Sequence, residues 1–457
     1  MTYQSKFEKL IFSLCFFHGL VQERKNYGAY GWCQMYNFND SDLSISLQQL
    51  KIYISDNTNI PYDAVKYMIG ECNYGGRVTD DRDRRLLNTI LEDFINENIV
   101  TNHKENLCSV SSYVMPSKLN YQGYIEYIKN LPAVQSPEVF GLHDNVEISK
   151  ELNDSKNILN DYLSTMQGKY FGEVGSTDAL LTSIANDIIA KLPEPFDIEE
   201  TTKRYPIDYN QTMNTILIQE MLRYNKLLNT IRLSLVNLKK AIKGFLVMSS
   251  ELDQISSSLL LGKIPGVWLT VSYQSLKSLS DYIKDLCDRL NFFQKWSNEN
   301  TPSCFWVSGF FFTQAFLTGV IQNYARKYSL PIDTLIYDFE IRETFAEDSP
   351  PTDGAYIYGL HLTGAKWDAV RKKLAEQNPR ELFYSFPVIH LRPVVKNLQT
   401  DDDKFMYECP VYKTSERKGT LSTTGHSTNF IMNIILPCDE DKKLWIKRSC
   451  ALLCQLD

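Results

Sequence analysis

Two neighbouring runs decide how this chain is read. They are GKIPGVWLTVSYQSLKSLSDYIKDLCDRLNFFQKW, Gly262 to Trp296, and FWVSGFFFTQAFLTGVIQNYARKYSLPIDTLIYDF, Phe305 to Phe339. No charged side chain lies between Asn300 and Ala325, and six of the sixteen residues from Phe305 to Val320 are aromatic. Such a run is either a membrane span or the centre of a large core. Ser308, Gly309, Thr313, Gln314, Thr318 and Gly319 interrupt it, and its length falls short of the roughly 20 residues that cross a bilayer. Only the basic pair Arg326-Lys327 follows it. The pattern predicts a buried helix in a globular core, and no membrane.

Working backwards, apolar side chains recur in steps of four and three at Leu217, Met221, Tyr224, Leu228, Ile231, Leu235, Leu238, Ile242 and Phe245. That is an a/d seam on one helix between Asp208 and Met248, roughly 40 residues and about 60 Å long. The spacing fits a dimerising coiled coil or an internal bundle. A second seam at Leu276, Leu279, Ile283, Leu286, Leu290 and Phe293 favours the two packing on each other. Further upstream, helices are expected at 6–25, after the Asn39-Asp40-Ser41-Asp42 cap signal, at 61–69 closed by Gly70, and after the Tyr74–Asp81 turn. Residues 100–145 are broken by Pro116, Pro132, Pro137 and Gly141, with one short helix at 121–130. Helices follow at 147–166 and 176–192, then the Pro-bearing linker LPEPFD.

Forwards from Pro331 the period changes from 3.6 to 2. Strands are expected at Tyr356–Leu362, Phe386–His390, Phe405–Lys413 and Asn429–Leu436, with a last one at Ser449–Leu456. The fold class is therefore α+β: a helical part, then a small antiparallel sheet or β-barrel. The division expected is 1–115, 116–340 and 341–457.

With 48 basic and 55 acidic residues the net charge is −7, which argues against a nucleic-acid partner. The ten Cys form no CxxC and the six His are not spaced as zinc ligands, so no metal site is expected. The apolar stretch Leu10–Phe17 does not read as a secretory signal, because Lys6, Glu8 and Lys9 precede it and no small-residue cleavage site follows. Gly75-Gly76 is a turn, because no GxxxxGK[ST] or GxGxxG exists to cradle phosphate. Gly262-Lys263 lacks the following Ser or Thr. His426, with Thr423, Thr424 and Ser427, has neither an orienting acid nor a GxSxG elbow and reads as a hairpin turn. Asp401-Asp402-Asp403 lacks the EF-hand spacing. No catalytic, cofactor or metal residue is assigned.

The sequence resembles the extreme C-terminal region of axonemal dynein heavy chains. The resemblance rests on CFFH (Cys15–His18), FNDSDL (Phe38–Leu43), GECNYGGRVTDDRDRR (Gly70–Arg85), LPEPFD, GKIPGVW, SGFFFTQAFLTG, QNYARKY, DGAYIYGLHLTGA, PVIHLRP, CPVYKTSERKGTLSTTGHSTNF and WIKRSCALLCQLD. Arg82 departs from it, where the family commonly carries Trp, and Cys33-Gln34-Met35 is divergent. The resemblance implies the end of a sixth, degenerate AAA+ module and a C-terminal domain lying on the ring of a minus-end-directed microtubule motor. ATP and Mg then belong to the parent motor. So do its partners: the other AAA+ modules, intermediate and light chains, and microtubules through the stalk. The implied location is cytoplasm, cytoskeleton and ciliary axoneme, and the implied role is bracing the ring. Residues 77–85 and 415–425 are the candidate contacts with neighbouring modules. The alternative reading is a free-standing interaction or adaptor module.

Overall fold

The computed structural model describes residues 3–57, 59–101, 106–117, 119–170, 174–343, 350–396, 404–419 and 428–456. Its first part is helical. The opening helix, Tyr3–Glu23, runs into a 3-10 segment, Arg24–Tyr30, broken at Gly28. Asn39 caps Asp40–Asp56 through a full capping box with Asp42, as the sequence anticipates. Pro61 precedes Tyr62–Tyr67, but Gly70 does not end that helix. The backbone runs on as a π-turn through Met68–Asn73. Gly70 serves close approach instead, since a Cβ there would lie 2.2 Å from Asn88 Oδ1. Asp80 then caps Asp81–Phe94. The short helix expected near 121–130 forms at Tyr121–Lys129, and Asn145–Tyr170 and Val174–Lys191 follow.

The seam helix spans Thr212–Ile242, shorter than the spacing suggests. Leu217, Met221, Tyr224, Leu228, Ile231, Leu235 and Leu238 are buried within the protein, whereas Phe245 is 80% exposed. The apolar rhythm runs past Ile242, but Gly244 at φ +77° stops the helix. The second seam lies on Leu279–Asn298, capped by Ser278, and meets the first where the Tyr224 and Phe293 rings stand 5.5 Å apart. The seam is thus internal.

The aromatic run is only half helical. It begins as strand β1 (Cys304–Trp306), turns through Val307–Gly309, and becomes helix only at Thr313–Lys327. Two causes are visible. Buried Glu220, on the seam helix, accepts the N–H groups of Phe311 and of Phe312, the latter at 3.1 Å. Phe305, Phe310 and Phe316 cluster with Phe293 and Trp296, with the Phe310–Phe316 ring centroids 4.6 Å apart. A continuous helix could not place these rings together. Among the described residues no helix is long and apolar enough to cross a membrane.

The remaining strands are β2 (Leu335–Arg342), β3 (Ala355–Tyr358), β4 (His361–Thr363), β5 (Lys366–Asp368), β6 (Lys373–Ala375), β7 (Tyr384–Ser385), β8 (Val388–Val395), β9 (Met406–Tyr412), β10 (Phe430–Pro437) and β11 (Ala451–Leu453). They form one sheet in the order β1-β3-β8-β2, a second in the order β10-β9-β11-β4-β7, and the β5-β6 hairpin. This corrects the antiparallel barrel: the sheets are open, and β1/β3 and β9/β11 pair in parallel. The single strand expected at Tyr356–Leu362 is two, one in each sheet. Gly359, at φ +92° against the Trp306 ring, turns the backbone between them.

Leu228→Ala, at a fully buried seam position, should cost about 2–5 kcal/mol. Leu222→Ala, half-exposed on the same helix, should change stability by under about 0.5 kcal/mol. Urea midpoints of the two variants check this.

Candidate functional site: the junction of the helical and sheet parts

A buried polar cluster sits where the opening helices meet the C-terminal strands. Arg24 is the centre. The first helix ends there, and the break at Gly28 turns the 24–31 segment back over the side chain. The guanidinium is completely buried. Nε donates to Gly31 O at 2.9 Å, and one terminal nitrogen donates to Phe140 O. The other reaches Tyr30 O at 3.1 Å, Lys447 O at 2.5 Å and Ser449 Oγ at 3.1 Å. Every acceptor is a neutral oxygen, and together they come from three separate segments. The rigid five-donor fork of Arg suits this; Lys could not reproduce it. Burial lowers Arg24 to about 9, with the Asp83 carboxylate opposing the shift, so it stays charged at neutral pH. Ser449 Oγ donates in turn to Tyr30 O at 2.7 Å, and Tyr30 OH bonds Thr363 Oγ1 at 2.7 Å.

A second contact is built by the helix Asp81–Phe94. Arg82 lies over the Phe430 ring at 3.3 Å, so the cation occupies this position by stacking. Arg85 approaches Glu408 O at 3.3 Å. Glu92 pairs with Lys443 and Asp93 with Lys447, each at 2.5 Å. The charged 77–85 stretch is therefore used inside the protein itself: Arg77 also pairs with Asp42 and Arg84 with Glu71. Of the 415–425 loop, residues 420–425 lie outside the described residues. Gly419 O accepts from Gln34 Nε2 at 3.3 Å.

Beneath this helix, Cys33, Asp80 and Asp83 bring three potential metal-ligand atoms within 4.8 Å. The donor set does not suit an ion. Asp83 already accepts from Cys33 N at 2.9 Å, Gln34 N at 3.1 Å and Tyr36 OH at 2.8 Å. Asp80 is occupied as the helix cap. Burial pushes the Cys33 thiol far up, away from the thiolate a metal needs. The cluster is a locked turn.

Acid–base chemistry finds no assembled group among the described residues. His18 Nδ1 meets Tyr74 OH at 2.8 Å, His143 Nδ1 accepts from Asn145 N, and His390 Nε2 meets Asp353 O. His361 lies on β4, where burial and the Lys277 charge lower its pKa from the ordinary value. His103, His426 and Asp401–Asp403 lie outside the described residues. Gly75 and Gly76 open a 3-10 turn, and the N–H groups of Arg77 and Val78 close on Tyr74 O and Gly75 O rather than opening on a ligand. A half-open groove of about 610 Å³ lies along the first helix, lined by Phe12, Phe16, Leu20, Ile128 and Leu131 among others.

Sequence reasoning missed Arg24 and Glu220. Glu220 left a trace, since a carboxylate sits between seam positions Leu217 and Tyr224. Arg24 stands in the run VQER, Val21–Arg24, which follows CFFH in the family resemblance, but nothing local marked it as buried, because its acceptors lie up to 425 residues away.

These features define an architectural unit: a helical module clamped by buried polar contacts to an α+β domain, with no assembled catalytic group among its described residues. Comparison with known proteins gives that class a family. Residues 7–146 match the AAA lid domain of the dynein heavy chain, and residues 152–454 match the C-terminal domain of the dynein heavy chain. The chain belongs to the dynein heavy chain family, as its C-terminal region. It is 54% identical to human dynein axonemal heavy chain 12 over 451 residues, 98% of this chain and 14% of that one. Human dynein axonemal heavy chain 3 is 48% identical over 98% of this chain and 11% of its own length. For rat dynein axonemal heavy chain 1 the figures are 44%, 99% and 10%. The matched region thus spans about a seventh or less of these relatives.

Arg24→Met should lower the unfolding free energy by about 3–5 kcal/mol, because it strands buried carbonyls at the junction. Arg24→Lys should recover little of this in the same denaturation experiment. A pH effect follows from Asp83. Burial raises its carboxyl to about 6 from the ordinary 3.8, against the pull of the Cys33 N–H. The folded state then binds this proton more tightly than the unfolded one. Its penalty is complete above about pH 6 and fades as pH falls towards 3.8. Relative to Asp83→Asn, the native protein should gain up to about 3 kcal/mol between pH 7 and pH 4. A difference independent of pH would show an ordinary carboxylate.

Proposed function

We propose that this chain is the ring-bracing C-terminal segment of an axonemal dynein heavy chain. The parent is a minus-end-directed microtubule motor. ATP and Mg act in its other AAA+ modules, and this segment relays nucleotide state without a nucleotide site of its own. Its partners are those modules directly, and intermediate chains, light chains and microtubules through the assembled motor. It works in the ciliary axoneme. One observation carries the reading: the buried Arg24 fork joins the AAA lid to the end of the C-terminal domain. A displacement of the lid therefore moves the domain with it, as bracing requires. The Glu92–Lys443 and Asp93–Lys447 pairs align the same two bodies, although exposed pairs contribute little energy.

The test uses the full-length heavy chain. Arg24→Met should leave basal ATP hydrolysis within about twofold, while microtubule gliding velocity falls several-fold. Unchanged gliding, with the variant shown by proteolysis to have loosened this junction, would reject the reading. The isolated 457-residue polypeptide should show no ATP turnover above a blank.

A further inference from the structure

The turn after the seam helix presents apolar side chains to solvent without an evident local reason. The helix ends in a Schellman motif. Gly244 lies at φ +77°, Gly244 N donates to Ala241 O at 2.9 Å, and Phe245 N donates to Lys240 O at 2.9 Å. In that motif the residue after the glycine usually folds an apolar side chain onto the last helical turn. Here the facing residue is Lys240, and Phe245 stays 80% exposed. Leu246, Val247 and Met248 are exposed as well, Val247 by 86%. The next helix, Ser250–Leu260, starts at once, with Leu252 N bonded to the Ser249 cap at 3.2 Å. The tip is therefore held between two caps with little freedom to collapse.

Scattered exposed apolar residues are ordinary on a protein surface; four in succession on a fixed tip are not. We propose that Phe245–Met248 is a docking knob that seats in an apolar recess on another module of the same heavy chain, a recess rimmed by carboxylates. This rests on the bracing reading and names its point of contact. The acidic rim follows from charge. Lys240 and Lys243 are exposed beside the knob and form no ion pair among the described residues, and Lys239 meets only the neutral Asn186 at 2.6 Å. A protein recess fits better than a lipid surface. Stable membrane anchoring takes two signals with a larger apolar area, whereas a rigid aromatic-bearing tip binds a pocket with little ordering cost. The same heavy chain supplies room for the recess, because the region described matches only 14% of the length of the human heavy chain 12 relative.

The test places p-benzoylphenylalanine at Phe245 in the full-length heavy chain. After irradiation, mass spectrometry should find a crosslink to the same heavy chain outside these 457 residues, within a few positions of Asp or Glu. Val247→Glu is a surface change that the fold tolerates, and it should reduce that crosslink at least about tenfold. Lys240→Glu with Lys243→Glu should also weaken it, and more at low salt. The knob is rejected if crosslinks fall within these residues, on another polypeptide, on added phosphatidylcholine–phosphatidylserine vesicles, or nowhere. Deleting residues 152–457 separates the two ideas. If the deletion uncouples gliding from hydrolysis while the photoprobe at Phe245, in the otherwise unaltered chain, makes no such crosslink, the knob fails and bracing stands. If the deletion leaves coupling intact, bracing itself fails.

Discussion

A buried guanidinium with only neutral acceptors is costly unless its geometry is complete, and Arg24 is complete because three distant segments meet around it. The 3-10 turn after the first helix, the Phe140 carbonyl and the Lys447–Ser449 segment each supply oxygens that would otherwise be stranded inside the protein. None of these pieces can move alone without leaving donors or acceptors unmet. The junction is therefore closer to all-or-none than to a graded hinge. The surface clamps around it, Arg82 on Phe430 and the two Lys–carboxylate pairs, set orientation around a contact already fixed from within.

The helical bundle of the C-terminal domain holds two further buried carboxylates, Asp285 and Glu220. Asp285 is buried, which alone would raise its carboxyl, yet Arg289 and Lys277 hold it below the usual range. Arg289 Nε donates to it at 2.6 Å, and the guanidinium lies 3.9 Å from the Tyr273 ring. Tyr273 OH and Lys277 Nζ complete the group at 2.8 and 2.7 Å. Glu220 holds the other end by taking the N–H groups that precede the Thr313 helix. Through Tyr224, whose hydroxyl donates to Gly309 O at 2.7 Å, the seam helix thus dictates where the aromatic run leaves strand and enters helix. The bundle hands over to the sheets through polar contacts at its centre.

Most helices were legible because an amphipathic face and its caps are local. Asn39 caps the helix that its sequence announces, and Asp80 and Ser278 cap two more that the apolar spacing marked. The strands were legible from alternation, but their partners were not. Register and sheet membership arise from pairing across long separations, so the open, partly parallel sheets were read as a small antiparallel barrel. Phe245 shows the limit of periodicity. It continues the seam rhythm, yet a single glycine overrides the pattern, because the left-handed conformation at Gly244 is a backbone event that apolar spacing does not encode. Arg82 shows the converse, a substitution whose stacking partner, Phe430, lies far along the sequence on β10.

The sequence by itself determined the α+β class, the presence of a seam, the lack of a phosphate-binding motif, and, through long ordered motifs, the family. These follow from local periods, turn chemistry and residue identity, all of which act over a few positions. The tertiary structure alone decided that the charged 77–85 stretch serves this protein's own junction, that the aromatic run is half strand, and that Arg24 is the keystone. Each of those depends on burial. An ion or a carbonyl changes its energetic meaning when water is removed, and which groups lose their water is settled only when distant segments meet.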